Sequence, residues 1–394
     1  MRTLPSLLLL LLLLAGGCAR RPETIRIAVF NIRELSTDVL TATDKRGRGV
    51  EPQAVAAARV IQRVRPDILV INEIDHDYST PQAAQDLALN LRRFQEHYLA
   101  HGPDPIRYDH AFAAPCNTGI PSGADLGRDG KVSTAEDAGS RGYADDCFGY
   151  GEYPGQYSMG VLSRLPVDAE RARSWRRLLW RDMPGNNLPP GHFDESQLAA
   201  LRLSSKSHWA VPVLAGGGVI HLVVAHPTPQ GFDGPEDRNG RRNWDEARLV
   251  ADIIGGAGWL VDDLGAPGGL GPEEEFVVLG DMNADPRRGT RIGGRTAIDQ
   301  ILAHPRVQDV SALQSSAGAL RERAPGQPEL HEFNTFGDRD GSRYDYALPS
   351  RGLAVRGAGV HWPSPLDDPD GAITAEFASD HRLVWVDVEA PGAP

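Results

Sequence analysis

Apolar runs that each stop at a polar residue constrain this chain most. Phe276-Val277-Val278-Leu279 leads through Gly280 into Asp281-Met282-Asn283. Ile68-Leu69-Val70-Ile71 stops at Asn72-Glu73, and the stretch 24–30 stops at Asn31. The run 219–225 stops at His226, and Leu383-Val384-Trp385-Val386 leads away from Ser379-Asp380-His381. Short runs rich in β-branched and aromatic residues, bounded by Gly, Asp and Asn, read as strands meeting loops. Such a chain carries acids, amides and imidazoles at sheet ends, where rigid strands hold them in place. Tyr344-Asp345-Tyr346 adds an acid inside an apolar segment. Burying that acid costs several kcal/mol unless it is paired or metal-bound.

These residue types point to a chemistry. Carboxylates and carboxamides are hard oxygen ligands suited to magnesium, manganese or calcium. Histidine near such a site moves protons or, when charged, holds phosphate. The stretch Leu203-Ser204-Ser205-Lys206-Ser207-His208-Trp209 gathers further phosphate-binding groups, with Lys206 and His208 as candidates. Singly, each residue has a simpler reading. Asp281 and Asn283 could form only a turn after a strand, and Glu73 a solvated loop acid. It is their order along the chain that favours a site.

Around the strands, the spacing predicts a helix over 51–65, bounded by Pro52 and Pro66. Strand, helix and the strand at 68 form a crossover unit. Further helices are predicted over 82–100 and 245–254. Residues 101–158 are rich in Gly, Asp and Tyr and read as a long insertion without regular elements. Within it, 125–136 follows a calcium-loop pattern, with acids at Asp125, Asp129 and Glu136 and Gly130 at the turn. Gly127 replaces the usual acid at the third position. A structural calcium ion is therefore expected. The arginines at 238–242 and 171–181 read as solvated faces.

Arg2 followed by the leucines at 7–14 reads as a signal sequence, too short to span a bilayer. It ends Ala15-Gly16-Gly17-Cys18, which looks like a lipoprotein cleavage box, with lipid on Cys18. Residues 1–17 are thus a signal peptide, and 18–394 form one catalytic domain. Export to the periplasm or cell surface with a membrane anchor is the expectation. In an exported chain the remaining pair, Cys116 and Cys147, implies one disulfide. The full sequence carries a formal charge of −12, and removing Arg2 makes the mature chain more acidic still. Bulk charge of that sign does not attract nucleic acid.

Taken in order, Asn31, Glu73, Met159-Gly160-Val161-Leu162-Ser163-Arg164, His226, Gly280-Asp281-Met282-Asn283, Tyr344-Asp345-Tyr346 and Ser379-Asp380-His381 resemble the endonuclease/exonuclease/phosphatase superfamily. Its members include pancreatic-type deoxyribonucleases, abasic-site endonucleases, inositol polyphosphate 5-phosphatases and bacterial sphingomyelinases. The resemblance spans roughly residues 24–388. It implies an α/β fold, with two mixed, mostly antiparallel sheets face to face and flanked by helices. It also implies phosphoester hydrolysis with magnesium or manganese. In that reading Glu73, Asn31 and Asp380 hold the metal. Asp281 and Asn283 orient the attacking water, His226 and His381 contact the phosphoryl oxygens, and Asp345 orients a histidine. A monomer is expected. Nucleic acid competes with small or lipid phosphoesters as substrate. The alternative is a non-catalytic, calcium-dependent surface-binding lipoprotein.

Overall fold

The computed structural model describes residues 24–320, 332–337 and 341–392. Residues 1–17, expected to be a signal peptide, and Cys18 lie outside the described residues. Thirteen strands are present among those described: β1 (Thr24–Leu35), β2 (Ile68–Ile74), β3 (His110–Phe112), β4 (Met159–Ser163), β5 (Arg173–Ser174), β6 (His208–Ala215), β7 (Gly218–Ala225), β8 (Glu275–Asp281), β9 (Arg291–Ile292), β10 (Arg295–Thr296), β11 (Asp345–Pro349), β12 (Val355–Val360) and β13 (Val384–Glu389).

They form a six-stranded sheet, β12-β13-β1-β2-β4-β3, and a five-stranded sheet, β11-β8-β7-β6-β5; β9 and β10 make a separate hairpin. In the two large sheets only β1–β2 and β7–β8 pair in parallel. The expected mixed, mostly antiparallel architecture is what forms.

Alternation along the strands builds three layers of core. Ile25, Ile27 and Val29 of β1 point between the sheets, where they meet Val211, Val213, Leu222, Val224, Val277 and Leu279. Ala28 and Phe30, on the other face of β1, pack under the helix Pro52–Val64 through Val60, Ile61 and Val64. Across the molecule, Val223, Phe276 and Val278 pack under the helix Arg238–Ile254 through Leu249, Val250 and Ile253. Both faces of each central strand are buried, which is why their sequences read as unbroken apolar runs. Each long helix is the crossover of one parallel pair.

Several expectations need correcting. The 101–158 stretch is not free of regular structure: β3 adds to the edge of β4, and Arg141–Asp145 is a helical turn. The helix expected over 82–100 is broken into a 3-10 turn at Ala83–Gln85, a helix at Leu89–Phe94 and a π-turn at Gln95–Leu99. The later helix begins earlier than 245, at Arg238.

Asp125, Asp129 and Glu136 are not gathered into a metal-holding group among the described residues. The Asp125 carboxylate instead accepts the N–H groups of Asp129 and Gly130, at 3.0 and 2.9 Å.

The expected disulfide is absent. Cys116 packs into the core between the sheets, while the Cys147 thiol turns to the Tyr143 carbonyl, 3.2 Å away. Burial pushes the Cys116 thiol up to about 11 and that of Cys147 up to about 12, so neither forms a reactive thiolate readily. A reductant is therefore expected to leave the melting temperature unchanged, and both thiols should react with a maleimide only on unfolding. A melting temperature several degrees lower under reductant would show that the two are paired.

Candidate active site

The two parallel pairs bring four strand ends to one edge of the sandwich. Asn31 lies opposite Asn72 in the β1–β2 register, with Glu73 next to it. His226 follows β7, and Asp281 ends β8. From the other direction β11 begins at Asp345, directly opposite Asp281, and His381 sits just before β13. An added Cβ at Gly280 would collide with the Ala225 carbonyl, so glycine lets β8 approach the turn that carries His226. Glu73 has φ 62°. A non-glycine residue in that region stores strain and marks a position fixed by its surroundings.

Asp281 is the hub. It is 2 % exposed, and its backbone N–H donates to Asn72 Oδ1 at 2.9 Å. Its Oδ1 accepts the Asn283 N–H at 2.8 Å. Its Oδ2 accepts the Asn31 amide N–H at 3.0 Å, and lies 3.4 Å from His226 Nε2 and 3.7 Å from His381 Nε2. The same Asn31 amide group donates to Glu73 Oε1 at 3.0 Å. Asn31 is therefore placed as the donor that holds two carboxylates together. Burial opposes charge on Asp281, but the two histidines and the Asn283 N–H prevail and hold its carboxyl far below the usual range.

The two histidines differ. Burial, reinforced by Lys206, lowers His226 despite Asp281 and Glu73, so this ring is neutral at pH 7. For His381 burial also works against charge, but Asp345 and Asp281 overcome it and raise the ring to about 10. His381 Nδ1 is 2.9 Å from Asp345 Oδ2, which also accepts the Thr335 hydroxyl at 2.8 Å. Burial raises Asp345 to about 6, against the pull of His381. Between those limits the two form a buried ion pair. Like charges directly opposite on neighbouring strands repel, and a cationic His381 between Asp281 and Asp345 relieves that repulsion.

Among the described residues, two groups have ligand atoms that all lie within 4.8 Å of one another: Glu73, His226 and Asp281, and Asp281, Asp345 and His381. The first is a carboxylate-rich set of the kind that suits a divalent ion, and Glu73 remains partly open to solvent. Asp380 belongs to neither group; its carboxylate accepts the Ser379 hydroxyl at 3.3 Å. Asn283 is tied to the same turn, with its amide on the Pro227 carbonyl at 3.0 Å.

Lys206 is 7 % exposed and lies close enough to Glu73 and Asp281 to feel both charges. His208 does not face the site. Its ring nitrogens are taken by the Ser204 hydroxyl at 2.6 Å and the Glu246 carbonyl at 3.1 Å, which leaves none for phosphate.

Thr335, Asn72 and Ser379 complete the site without having stood out in the sequence as site residues. The Ser379 hydroxyl donates to the Asn31 carbonyl at 2.8 Å and accepts the His381 N–H at 3.0 Å. Ser379 at least adjoins the Asp-His pair, whereas Thr335 carries no local signal.

The solved structure of an endonuclease/exonuclease/phosphatase from Beutenbergia cavernae is 20% identical, with a TM-score of 0.52 over 95% of this chain and 73% of that one. An endonuclease/exonuclease/phosphatase family protein from Leptotrichia buccalis is 14% identical, with a TM-score of 0.46 over 93% of this chain and 99% of that one. A mannosyl-6-phosphatase from Bacteroides thetaiotaomicron is 13% identical, with a TM-score of 0.45 over 92% and 99% respectively. No curated protein matches the chain. The sequence profile of the Endonuclease/Exonuclease/phosphatase family matches residues 28–381. That span runs from the first central strand to the site histidine His381, and the chain belongs to this family.

Proposed function

We propose that this protein is a divalent-metal-dependent phosphoester hydrolase, exported and anchored through Cys18, acting on a small or lipid phosphoester. The observation that carries the reading is one buried carboxylate, Asp281, set between a neutral and a charged histidine beside Glu73. The carboxylates of Glu73 and Asp281 are the donors that would fit magnesium or manganese. When bound, such an ion polarises a phosphoryl oxygen and stabilises the leaving oxygen.

The chain's own groups do the rest. Asp281 orients the attacking water through Oδ2 and accepts its proton as the new bond to phosphorus forms and the bond to the ester oxygen breaks, the leaving oxygen taking a proton from solvent. A carboxylate held so far below its usual range is a weak base, so orientation is its larger contribution. His381 donates from Nε2 to a phosphoryl oxygen, and Asp345 keeps its ring charged and aimed. His226 donates to the same group while neutral, and Lys206 offsets its negative charge. Asn283 holds the turn that fixes Asp281.

Two arginines of the basic stretches support a small or lipid phosphoester over nucleic acid. Arg242, expected on a solvated face, instead gives its guanidinium to the carbonyls of Leu203, Phe148 and Arg202. Arg173 is tied to Asp262 and the carbonyl of Gly269. These groups brace loops and are not free to track a phosphate backbone.

Phosphoesterase activity should vanish on thorough chelation and return with magnesium or manganese. Asp281→Asn and His381→Ala should each lower kcat at least about 100-fold with the fold intact. Full activity after chelation, or near-normal rates in either folded variant, contradicts the assignment.

His381 also links stability to pH. Its folded value of about 10 lies above the unfolded 6.5, so folding takes up a proton between those limits. This contribution is complete below 6.5 and is lost as pH rises toward 10. The denaturation midpoint of metal-free protein should fall across that window, and the fall should be smaller in His381→Gln. Equal slopes in the two proteins would show that His381 is not charged in the fold.

Lipid attachment is read by labelling cells with a radioactive or clickable fatty acid. Wild type should be labelled and membrane-bound, and Cys18→Ser neither; an unlabelled, wholly soluble wild type removes the anchor.

A further inference from the structure

The helix Arg238–Ile254 buries three polar residues: Asp245 is taken by Trp180 and Asn187, and the other two face the site loops. Asn243 and Glu246 are both 0 % exposed, in line with the apolar residues Ala247, Val250 and Ile254. A polar group in that position must be satisfied or costs stability. Both are satisfied by the backbone of loops that hold site residues.

The Glu246 carboxylate accepts three donors. Oε1 takes the Ser205 N–H at 2.7 Å and the Ser205 hydroxyl at 3.0 Å, and Oε2 takes the Thr228 N–H at 2.7 Å. The Asn243 amide donates to the Thr228 carbonyl at 2.8 Å and the Met282 carbonyl at 2.9 Å. Its oxygen accepts Gln230 Nε2 at 2.8 Å, and Gln230 also reaches the Asn283 carbonyl at 3.2 Å.

Thr228, two residues beyond His226, is thus held at both its N–H and its C=O. Met282, next to Asp281, hangs from the same amide, and Ser205 precedes Lys206. Three loops bearing His226, Asp281 and Lys206 are fastened from behind to a single turn of one helix.

We propose that Asn243 and Glu246 are positioning residues for the hydrolytic site, which set the separation of His226 and Asp281 without touching substrate. This rests on the hydrolase reading above. The geometry explains why a carboxylate stands at 246. Both of its oxygens face N–H or O–H donors. A glutamine would turn an NH2 group toward one of them, leaving donor against donor. Packing alone would accept glutamine, which has the same shape. Small misplacements of reacting groups cost up to about 100-fold in rate, whereas remote binding contacts govern KM.

The test uses the mature protein with magnesium, and an aryl phosphomonoester and an aryl phosphodiester as substrates. Glu246→Gln should still melt cooperatively, at a lower temperature than wild type because one buried donor is left unpaired, and keep KM within about threefold, while kcat falls at least about 10-fold. Hydrogen exchange read by mass spectrometry should quicken in the peptides covering 226–230 and 281–284, and not in β1 or β13. Gln230→Ala, a milder change at a part-buried position, should give a smaller fall in kcat, about 3- to 10-fold, with the same exchange pattern. It decides the matter alone if Glu246→Gln does not fold.

A folded Glu246→Gln or Gln230→Ala protein with kcat within about twofold of wild type and unchanged exchange overturns the proposal. An inactive wild type is a different result. It removes the hydrolase reading and leaves the exchange measurement to judge the clamp.

Discussion

Burial of Asp281 is the interaction on which the rest of the site depends. An ionised carboxylate removed from water is costly unless neighbours replace the lost solvation. Here the replacement comes from four groups: the Asn31 amide, the Asn283 N–H, His226 and His381. Each arrives on a different strand or loop, so no local segment can satisfy Asp281 by itself. The site exists only when both sheets are in register, and only then is the buried charge compensated.

The same argument runs outward. A charged His381 close to Asp281 is stable because Asp345 lies on its far side, and Asp345 is held by Thr335 in turn. Removing Asp345 would leave the ring with one buried counter-charge instead of two. Removing His381 would leave two buried acids facing each other across β8 and β11. Either loss exceeds that of one surface ion pair, where solvent screens the charges. The network is a structural requirement of the fold edge and also the polar machinery of the site.

Much of this was legible in the sequence because strand ends have a local signature. The β8 run announces itself through Phe276 to Leu279, and the acid at its end follows directly. The crossover helix at 52–64 was legible from Pro52, Pro66 and its apolar spacing. Features set by distant contacts were not. His208 carries the composition of a phosphate ligand, but strand alternation turns it inward onto Glu246. Cys116 and Cys147 met the rule for an exported pair, yet one packs between the sheets and the other turns toward the Tyr143 carbonyl. Arg242 stood in a basic cluster that pointed to solvent, and only the fold shows three carbonyls waiting for it. Asn243 falls before the helix predicted over 245–254, and Glu246 carries no local signal, because the loops that bind them are distant in sequence.

The architecture explains why so many separate segments meet at one edge. A parallel pair joined by a helix crossover presents two strand C-termini on the same side of the sheet. This fold uses that device twice, once in each sheet: Asn31 with Glu73 in the first, His226 with Asp281 in the second. Packing the sheets face to face brings the two edges together. The antiparallel β11 and β13 then enter from that edge, and so deliver Asp345 and His381 at their beginnings. Loops alone could not hold these distances, because their backbone is free to move; here each polar side chain sits within a few residues of a ladder hydrogen bond. The long helix that closes the second crossover is therefore more than a cover for Phe276 and Val278. It spans the gap between β7 and β8, and it is the element from which the turns at both strand ends can be fixed at once.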